Sequence, residues 1–415
     1  MLLSVGLARV CFLRDVAVKA RKLLGDLVGI FDEFHWQVCR LFLVALRLMG
    51  KAPPPPSRVR TVVVIRNCFF GDFVVAIPAL RRLRLAFPGA RIVFLTATSF
   101  AAGWKDRPQE DGVFEIEPGL IDEVVQYRSE DVRSAAARFA LGARLACSGQ
   151  VLTVALCYSA DSLLSRLKRV VLCRALDLPH PLGLTGVRTL PAQRWLNRWR
   201  CGRVGILHQH TAATACVDEA LRHLGTLVVP VVPTATRTKV ITNQPRLVGV
   251  APFTKQPVKQ WPLDRFADVM RSLTADMNVR FEIYGSRQER DQAMRLDAML
   301  GEAVSKVSLC GELTPLQLRK RIETVDLLLC LDSGPAHIAS LVGTPVVAIF
   351  SQITLHDFWR PWGPQGHLIS VEVPCAACDT RTGECPLDTR ACINGVPADI
   401  VLQRVRAVLA EGDSA

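Results

Sequence analysis

Residues 61–80 read TVVVIRNCFFGDFVVAIPAL. The β-branched run Thr61 to Ile65 has the composition of a buried strand. It breaks into a short loop holding Gly71, and a helical pattern then begins at Asp72 and ends near FPGA at 87–90. Strand, glycine and helix start resemble a phosphate-binding turn, because N–H groups at a helix N-terminus attract anions. A carboxylate in that place would repel a phosphate. Asp72 therefore reads either as a helix cap or as a group that acts on a substrate.

Outward from this stretch the alternation continues. Strands are expected at 61–66, 91–95, 123–127 and 151–156, with helices at 72–86 and 131–146. The middle is less regular: SLLSRLKRVVLCRAL at 162–176 is a basic amphipathic helix, and HLGTLVVPVVPTATRTKVITNQP at 223–245 is a proline-broken linker. A second series follows, with strands at 247–251, 279–284, 306–310, 326–331 and 345–350 and helices at 263–275, 287–299, 315–322 and 335–342. Strands alternating with helices argue for βαβ units and parallel sheets. Two such halves make the cleft between them the place for a ligand. No period of 20–50 residues recurs, which excludes solenoids and propellers.

Before the first strand, KAPPPPS at 51–57 is a semi-rigid polyproline spacer. The expected organisation is a helical extension with its linker at 1–57, one Rossmann-like domain at 58–238 and another at 239–415. Within the extension, VCRLFLVALRLM at 38–49 is strongly apolar but short for a spanning helix and carries Arg40 and Arg47. It fits either a helix lying on anionic lipid or one packed on the body. The start, MLLSVGLARVCFLRD, lacks the basic lead of a cleavable signal peptide.

The 415 residues carry 51 Lys and Arg against 38 Asp and Glu, a net charge of +13, which suits an anionic partner. The arginines are spread over many helices with no recognition motif, so a nucleic-acid binder is disfavoured. Of 14 cysteines, ten sit singly in apolar segments, as expected in a reducing, cytoplasmic compartment. The other four, Cys375, Cys378, Cys385 and Cys392, give C-x2-C-x6-C-x6-C. That spacing suggests a structural zinc or an iron–sulfur cluster, with free thiols or redox-dependent disulfides as alternatives.

Three further segments carry candidate chemistry. In LCLDSGPAHIASLVGTPVVAIF, 329–350, a strand ends at Asp332, Ser333 and Gly334 form a turn, and Pro335 stands at a helix start. This is either a diphosphate cradle with His337 one turn in, or a capped core helix. APFTKQPVKQWP, 251–262, brings Thr254, Lys255 and Lys259 to the end of a strand, where lysine can act as a point charge on phosphate or simply stay solvated. In SRQERDQA, 286–293, Glu289 is a ribose contact or a first-turn acid. The aromatic loop HDFWRPWGP, 356–364, reads as stacking on a ligand or as a packed Trp-Pro loop.

Taken together, VIRNCFFGDFVVAIPALRRLRLAFPGARI, KQWP, YGSRQE and DSGPAHIASLVGTPVVAIF resemble glycosyltransferase family 9, the lipopolysaccharide heptosyltransferases, in the family's order and over about residues 60–405. The resemblance implies an α/β GT-B fold: two Rossmann-like domains facing a central cleft, the N-terminal one for the acceptor and the C-terminal one for the donor. It implies inverting transfer of a heptose from a nucleotide-sugar such as ADP-heptose to an anionic glycolipid acceptor of lipopolysaccharide-core type. The enzyme would need no cofactor or metal and would act as a monomer at the cytoplasmic face of a Gram-negative inner membrane.

By position, Asp72 matches the family's catalytic base, Lys259 a donor-phosphate contact, and Thr254 and Lys255 nearby phosphate contacts. Glu289 matches a ribose contact, and Asp332, Ser333, Gly334 and His337 match the donor loop. Cys68, Phe69 and Phe70 depart from the small hydroxyl residues that many members carry before the glycine. The competing readings are a nucleotide-sugar epimerase of similar architecture and a non-catalytic glycan- or nucleotide-sugar-binding protein.

Overall fold

The structure is a computed structural model and describes residues 30–67, 69–97, 113–128, 130–145, 150–158, 161–187, 208–226, 245–353, 356–375, 378 and 384–411. A helix over residues 30–48, α1, leads through the proline spacer to the first half. That half runs β1 (Thr61–Ile65), α2 (Phe70–Ala86), β2 (Arg91–Ala97), β3 (Glu123–Tyr127), α3 (Ala135–Leu145), β4 (Val151–Ala155), α4 (Leu163–Ala175) and α5 (Gln209–His223). Its strands order β3-β2-β1-β4, every pair parallel, with Thr61 opposite Arg91 on one side and Val151 on the other. All five residues of β1 are buried, as a parallel strand covered on both faces requires.

The second half runs β5 (Arg246–Ala251), α6 (Leu263–Asp276), β6 (Val279–Ile283), α7 (Arg290–Leu300), β7 (Lys306–Ser308), α8 (Pro315–Thr324), β8 (Leu327–Leu331), α9 (Gly334–Val342), β9 (Val346–Ile349), α10 (His356–Trp359), β10 (Gly366–Ile369), α11 (Ala391–Asn394) and α12 (Ala398–Glu411). Its six strands order β10-β9-β8-β5-β6-β7, again all parallel. The expected pair of Rossmann-like units is therefore observed. The linker expected at 223–245 and the boundary at 238 fall mostly outside the described residues.

Local chemistry sets the helix limits. Thr314 accepts the Gln317 N–H at 3.3 Å while Gln317 Oε1 accepts the Thr314 N–H at 2.8 Å, a reciprocal cap that starts α8. Gly343, at φ 77°, ends α9 in the left-handed conformation that glycine adopts without strain. The helix expected over 131–146 is instead a short 3-10 turn at Glu130–Val132 followed by α3. Asp131 explains the break, because its carboxylate accepts the Arg128 N–H at 2.6 Å and tightens that turn.

The two halves share one apolar core. Phe73, Val74, Ile77 and Leu80 of α2 belong to the same buried cluster as Ala336, Ile338 and Leu341 of α9, and the two helices pack on each other. Burying side chains of this size stabilises by about 1.5–3 kcal/mol each. A second contact joins α8 to the 3-10 turn Val113–Ile116, where Arg319 donates to the Ile116 carbonyl at 3.0 Å. A separate core, which includes the fully buried Trp261, lies beneath α6 and α12. The Trp261 indole N–H donates to the Val396 carbonyl at 3.1 Å and so ties the loop after β5 to the C-terminal segment.

Candidate functional site

The site lies where α2 and α9 meet at their N-terminal ends. A methyl group built on Gly71 would stand 3.2 Å from His337 Cδ2 and 3.6 Å from Gly334 Cα. One built on Gly334 would stand 2.7 Å from the Phe70 ring. Both glycines are therefore spaces that let the two helix starts approach. Phe70, whose bulk had no evident purpose in the sequence, covers the turn at Gly334.

Asp72 is in the first turn of α2, and its Oδ2 accepts the Phe69 N–H at 2.8 Å. The residue is partly exposed, but protein surrounds its carboxyl group. Desolvation raises its pKa above the ordinary aspartate value; Arg66, the Phe69 N–H and Lys259 oppose the rise, and Asp332 adds to it. The helix terminus alone would have made Asp72 a weak base held ionised. Burial makes it a stronger one.

Arg66 follows β1, is fully buried, and lies with its guanidinium carbon 4.2 Å from the centre of the Tyr158 ring. The Tyr158 hydroxyl in turn donates to the Asn67 carbonyl at 2.5 Å. Sequence reading passed over both Arg66 and Tyr158. The only local signal was a basic residue at the carboxyl end of the first strand, the edge at which open α/β sheets gather ligands.

From the other half, Lys259 Nζ forms an ion pair with Asp332 Oδ2 at 2.7 Å, with the side chains 17% and 6% exposed. The Ser333 hydroxyl donates to the Leu331 carbonyl at 3.3 Å, and Ser333 occupies the N-cap position of α9 without making a side-chain cap. His337 is buried, and its Nδ1 has no hydrogen-bond partner. Desolvation pushes its pKa down to about 4; His208 and Lys259 act in the same direction, and Asp332 opposes them. Asp72, Lys259, Asp332 and His337 thus sit within one electrostatic neighbourhood, along with the Ser333–Gly334 turn.

Thr254 and Glu289 bind the backbone beside them. Thr254 Oγ1 accepts the Gln256 N–H at 3.3 Å, which shapes the loop after β5, and Lys255 is exposed. Glu289 accepts the Ser286 N–H at 2.6 Å and so caps the turn before α7. Among the described residues no group of three or more His, Cys, Asp or Glu is arranged to hold a metal, and Cys375, Cys378, Cys385 and Cys392 are free thiols. A zinc or iron–sulfur site at those cysteines is therefore unsupported.

An aromatic cluster closes one side of the site. The His337 ring stacks on Trp362 at 5.9 Å and 18°, and His210 stacks on the same indole at 5.2 Å and 16°. Trp359 lies between Tyr158, at 6.4 Å, and His337, at 6.0 Å. The aromatic loop at 356–364 is thus packed against histidines from both halves. His208 Nε2 donates to the Arg360 carbonyl at 2.7 Å, which leaves its Nδ1 to accept from the His210 N–H at 3.1 Å and His210 Nδ1 at 2.8 Å. His208 and His210 begin α5 and went unnoticed in the sequence, where HQH at 208–210 follows an irregular stretch.

A family model described as Glycosyltransferase family 9 (heptosyltransferase) matches residues 229–387. Lipooligosaccharide heptosyltransferase 2 of Campylobacter jejuni subsp. jejuni serotype O:6 (strain 81116 / NCTC 11828) is 27% identical over 171 residues, 40% of this chain and 52% of that protein. Lipopolysaccharide heptosyltransferase 3 of Escherichia coli is 32% identical over 116 residues, 28% of this chain and 34% of that protein. The chain thus spans about half the length of the first of these curated relatives and a third of the second.

In three dimensions it resembles the family 9 glycosyl transferase of Veillonella parvula DSM 2008, with a TM-score of 0.58 at 15% identity, covering 87% of this chain and 99% of that one. It also resembles E. coli ADP-heptose lps heptosyltransferase II, with a TM-score of 0.56 at 17% identity, covering 86% and 100%. These likenesses identify the fold as GT-B.

Proposed function

We propose that this chain, whose residues 229–387 match the family model of Glycosyltransferase family 9 (heptosyltransferase), moves a heptose or related sugar from a nucleotide-sugar to an anionic glycolipid acceptor of lipopolysaccharide-core type. ADP-heptose is the proposed donor and inversion at the anomeric carbon the proposed outcome. The observation that carries this reading is the meeting of a desolvated carboxylate, Asp72, from one half with a lysine and a helix N-terminus, Lys259 and α9, from the other.

In the proposed reaction Asp72 takes the proton of the acceptor hydroxyl. The hydroxyl oxygen forms a bond to the anomeric carbon on the face opposite the diphosphate, and the bond from that carbon to the diphosphate oxygen breaks. Lys259, Ser333 and the start of α9 stabilise the departing nucleoside diphosphate. His337 Nδ1, buried without a partner, is suited to a donor oxygen. Glu289 and the pair Thr254 and Lys255 are proposed as outer contacts to ribose and phosphate. The enzyme would act as a monomer at the cytoplasmic face of the membrane that carries its acceptor.

The test is incubation with ADP-heptose and a truncated core lipid, followed by weighing of the lipid. A gain of one heptosyl unit is expected, with inverted anomeric configuration by NMR. A donor that binds without any mass gain across a panel of nucleotide-sugars would overturn the reading, and donor converted without acceptor would favour an epimerase.

A further inference from the structure

Helix α1 has two apolar faces. At about 100° per residue, Asp32, Trp36, Cys39 and Leu43 fall together, and all four are buried. The Trp36 ring lies 5.3 Å from the Arg166 guanidinium carbon of α4. Arg174 donates to the Leu46 carbonyl at 3.2 Å, and Lys51 pairs with Asp177 at 2.6 Å just beyond the helix. These contacts fasten α1 to the body of the first half.

Roughly opposite, Phe31, Phe34, Val38, Leu41, Phe42 and Leu48 form a second stripe about 120° wide. Every one is exposed, with Phe34 and Leu41 at 69% and Leu48 at 81%. The stripe runs about 25 Å along the helix, which is a contiguous patch rather than the scattered apolar residues of an ordinary surface. No helix among the described residues is long and apolar enough to cross a membrane.

The charges identify the occupant. Arg40 and Arg47 lie on the flank between the two faces, and Glu33, the acid there, accepts a hydrogen bond from Gln37 at 2.7 Å. Long arginine side chains on such a flank reach the headgroup level while the apolar stripe sits below it. The chain as a whole carries +13.

We propose that the exposed stripe of α1 lies at the boundary between headgroups and acyl chains of an anionic bilayer, while the opposite face holds the protein to that surface. This rests on the proposed lipid-linked acceptor for its purpose, but not for its physics. The arrangement is a docked helix shared between protein and lipid, in which the membrane supplies the second half of the burial.

The test uses the full chain and phosphatidylethanolamine–phosphatidylglycerol vesicles in a flotation assay without donor or acceptor. The protein is expected to float with these vesicles, more weakly with phosphatidylcholine vesicles and at high salt. The triple variant Phe34→Gln, Leu41→Gln, Leu48→Gln is expected to lose about tenfold or more in binding while keeping its melting temperature, since all three side chains face out. Arg40→Gln with Arg47→Gln should weaken binding to anionic vesicles alone.

Wild-type protein that stays with the buffer would overturn the proposal. So would a triple variant that floats as well as wild type, or one whose melting temperature falls or whose oligomeric state changes, because residues 1–29 or a second copy would then cover the stripe. Failure of the transferase reading is separable, since it appears as vesicle binding without sugar transfer.

Discussion

Lys259 Nζ and Asp332 Oδ2 stand 2.7 Å apart, each on a different loop of the second half and each largely withdrawn from solvent. On the proposed reading, a diphosphate arriving at α9 would share this lysine with the aspartate. Lys259→Met is expected to weaken ADP binding about 10- to 100-fold, by the usual size of a hydrogen bond to a charged group. Asp332→Asn should leave the lysine freer and raise ADP affinity. Calorimetric titration of both single variants and the double variant should give non-additive changes.

Asp72→Asn separates cap from base. The amide oxygen can still accept the Phe69 N–H, so the start of α2 should persist. Turnover should fall about 10²- to 10⁴-fold, with donor affinity preserved. Because the folded pKa of Asp72 is raised, the protonated form is favoured by folding, and the stability it contributes is lost as pH rises through the folded value. Asp72→Asn should therefore raise the melting temperature at neutral pH, with the gain shrinking as pH falls through the folded value and gone below about 4.

Arg66 opposes the desolvation of Asp72 and rests on Tyr158. Arg66→Met should move the acidic limb of the pH–rate profile to higher pH, and Arg66→Lys should restore part of the displacement. A limb that stays in place while only kcat falls would show that Arg66 acts by shape alone.

Gly334 and Phe70 form a lock that a single methyl group would break, at 2.7 Å from the Phe70 ring. Gly334→Ala is expected to cost about 1–3 kcal/mol through overpacking. Phe70→Ala in the same chain should recover much of that loss, a compensation readable as the change in denaturation midpoint.

The histidines at the junction give a pH dependence of opposite sign. Burial holds His210 and His337 down at about 4, and His208 is also lowered. Their stabilising contribution is complete above about 6.5, the unfolded value, and is lost as pH falls through the folded values. Thermal unfolding followed between pH 7 and pH 4, both about one window of this titration, should show a falling midpoint. His210→Phe, which keeps the stack on Trp362, should flatten the fall.

Much of the fold was legible because its signals are local. β1 carries five consecutive buried β-branched residues, and the turn at Asp332 to Gly334 precedes a proline and an apolar helix. α5 escaped because HTAATACVDEA is rich in alanine and threonine, with little contrast between its faces. β10 escaped because four residues, none but Ile369 buried, are too few for a period to show.

The candidate residues on loops after strands could be proposed from their position, but their relations could not. The pairing of Lys259 with Asp332, the desolvation of Asp72 and the seat of Phe70 on Gly334 all join segments far apart in the chain. No local pattern encodes such contacts.

The shared core of α2 and α9 also sets an order of events during synthesis. Phe73, Val74 and Ile77 leave the ribosome long before Ala336 and Ile338, their companions in the finished core. Until the second half has been made, the nascent first half presents an oily helix face with nothing to cover it. All-parallel sheets already fold slowly, because each strand waits for a crossover, and this chain adds a wait for its own far end. Chaperone occupancy of nascent chains should therefore persist until residues beyond Val342 emerge.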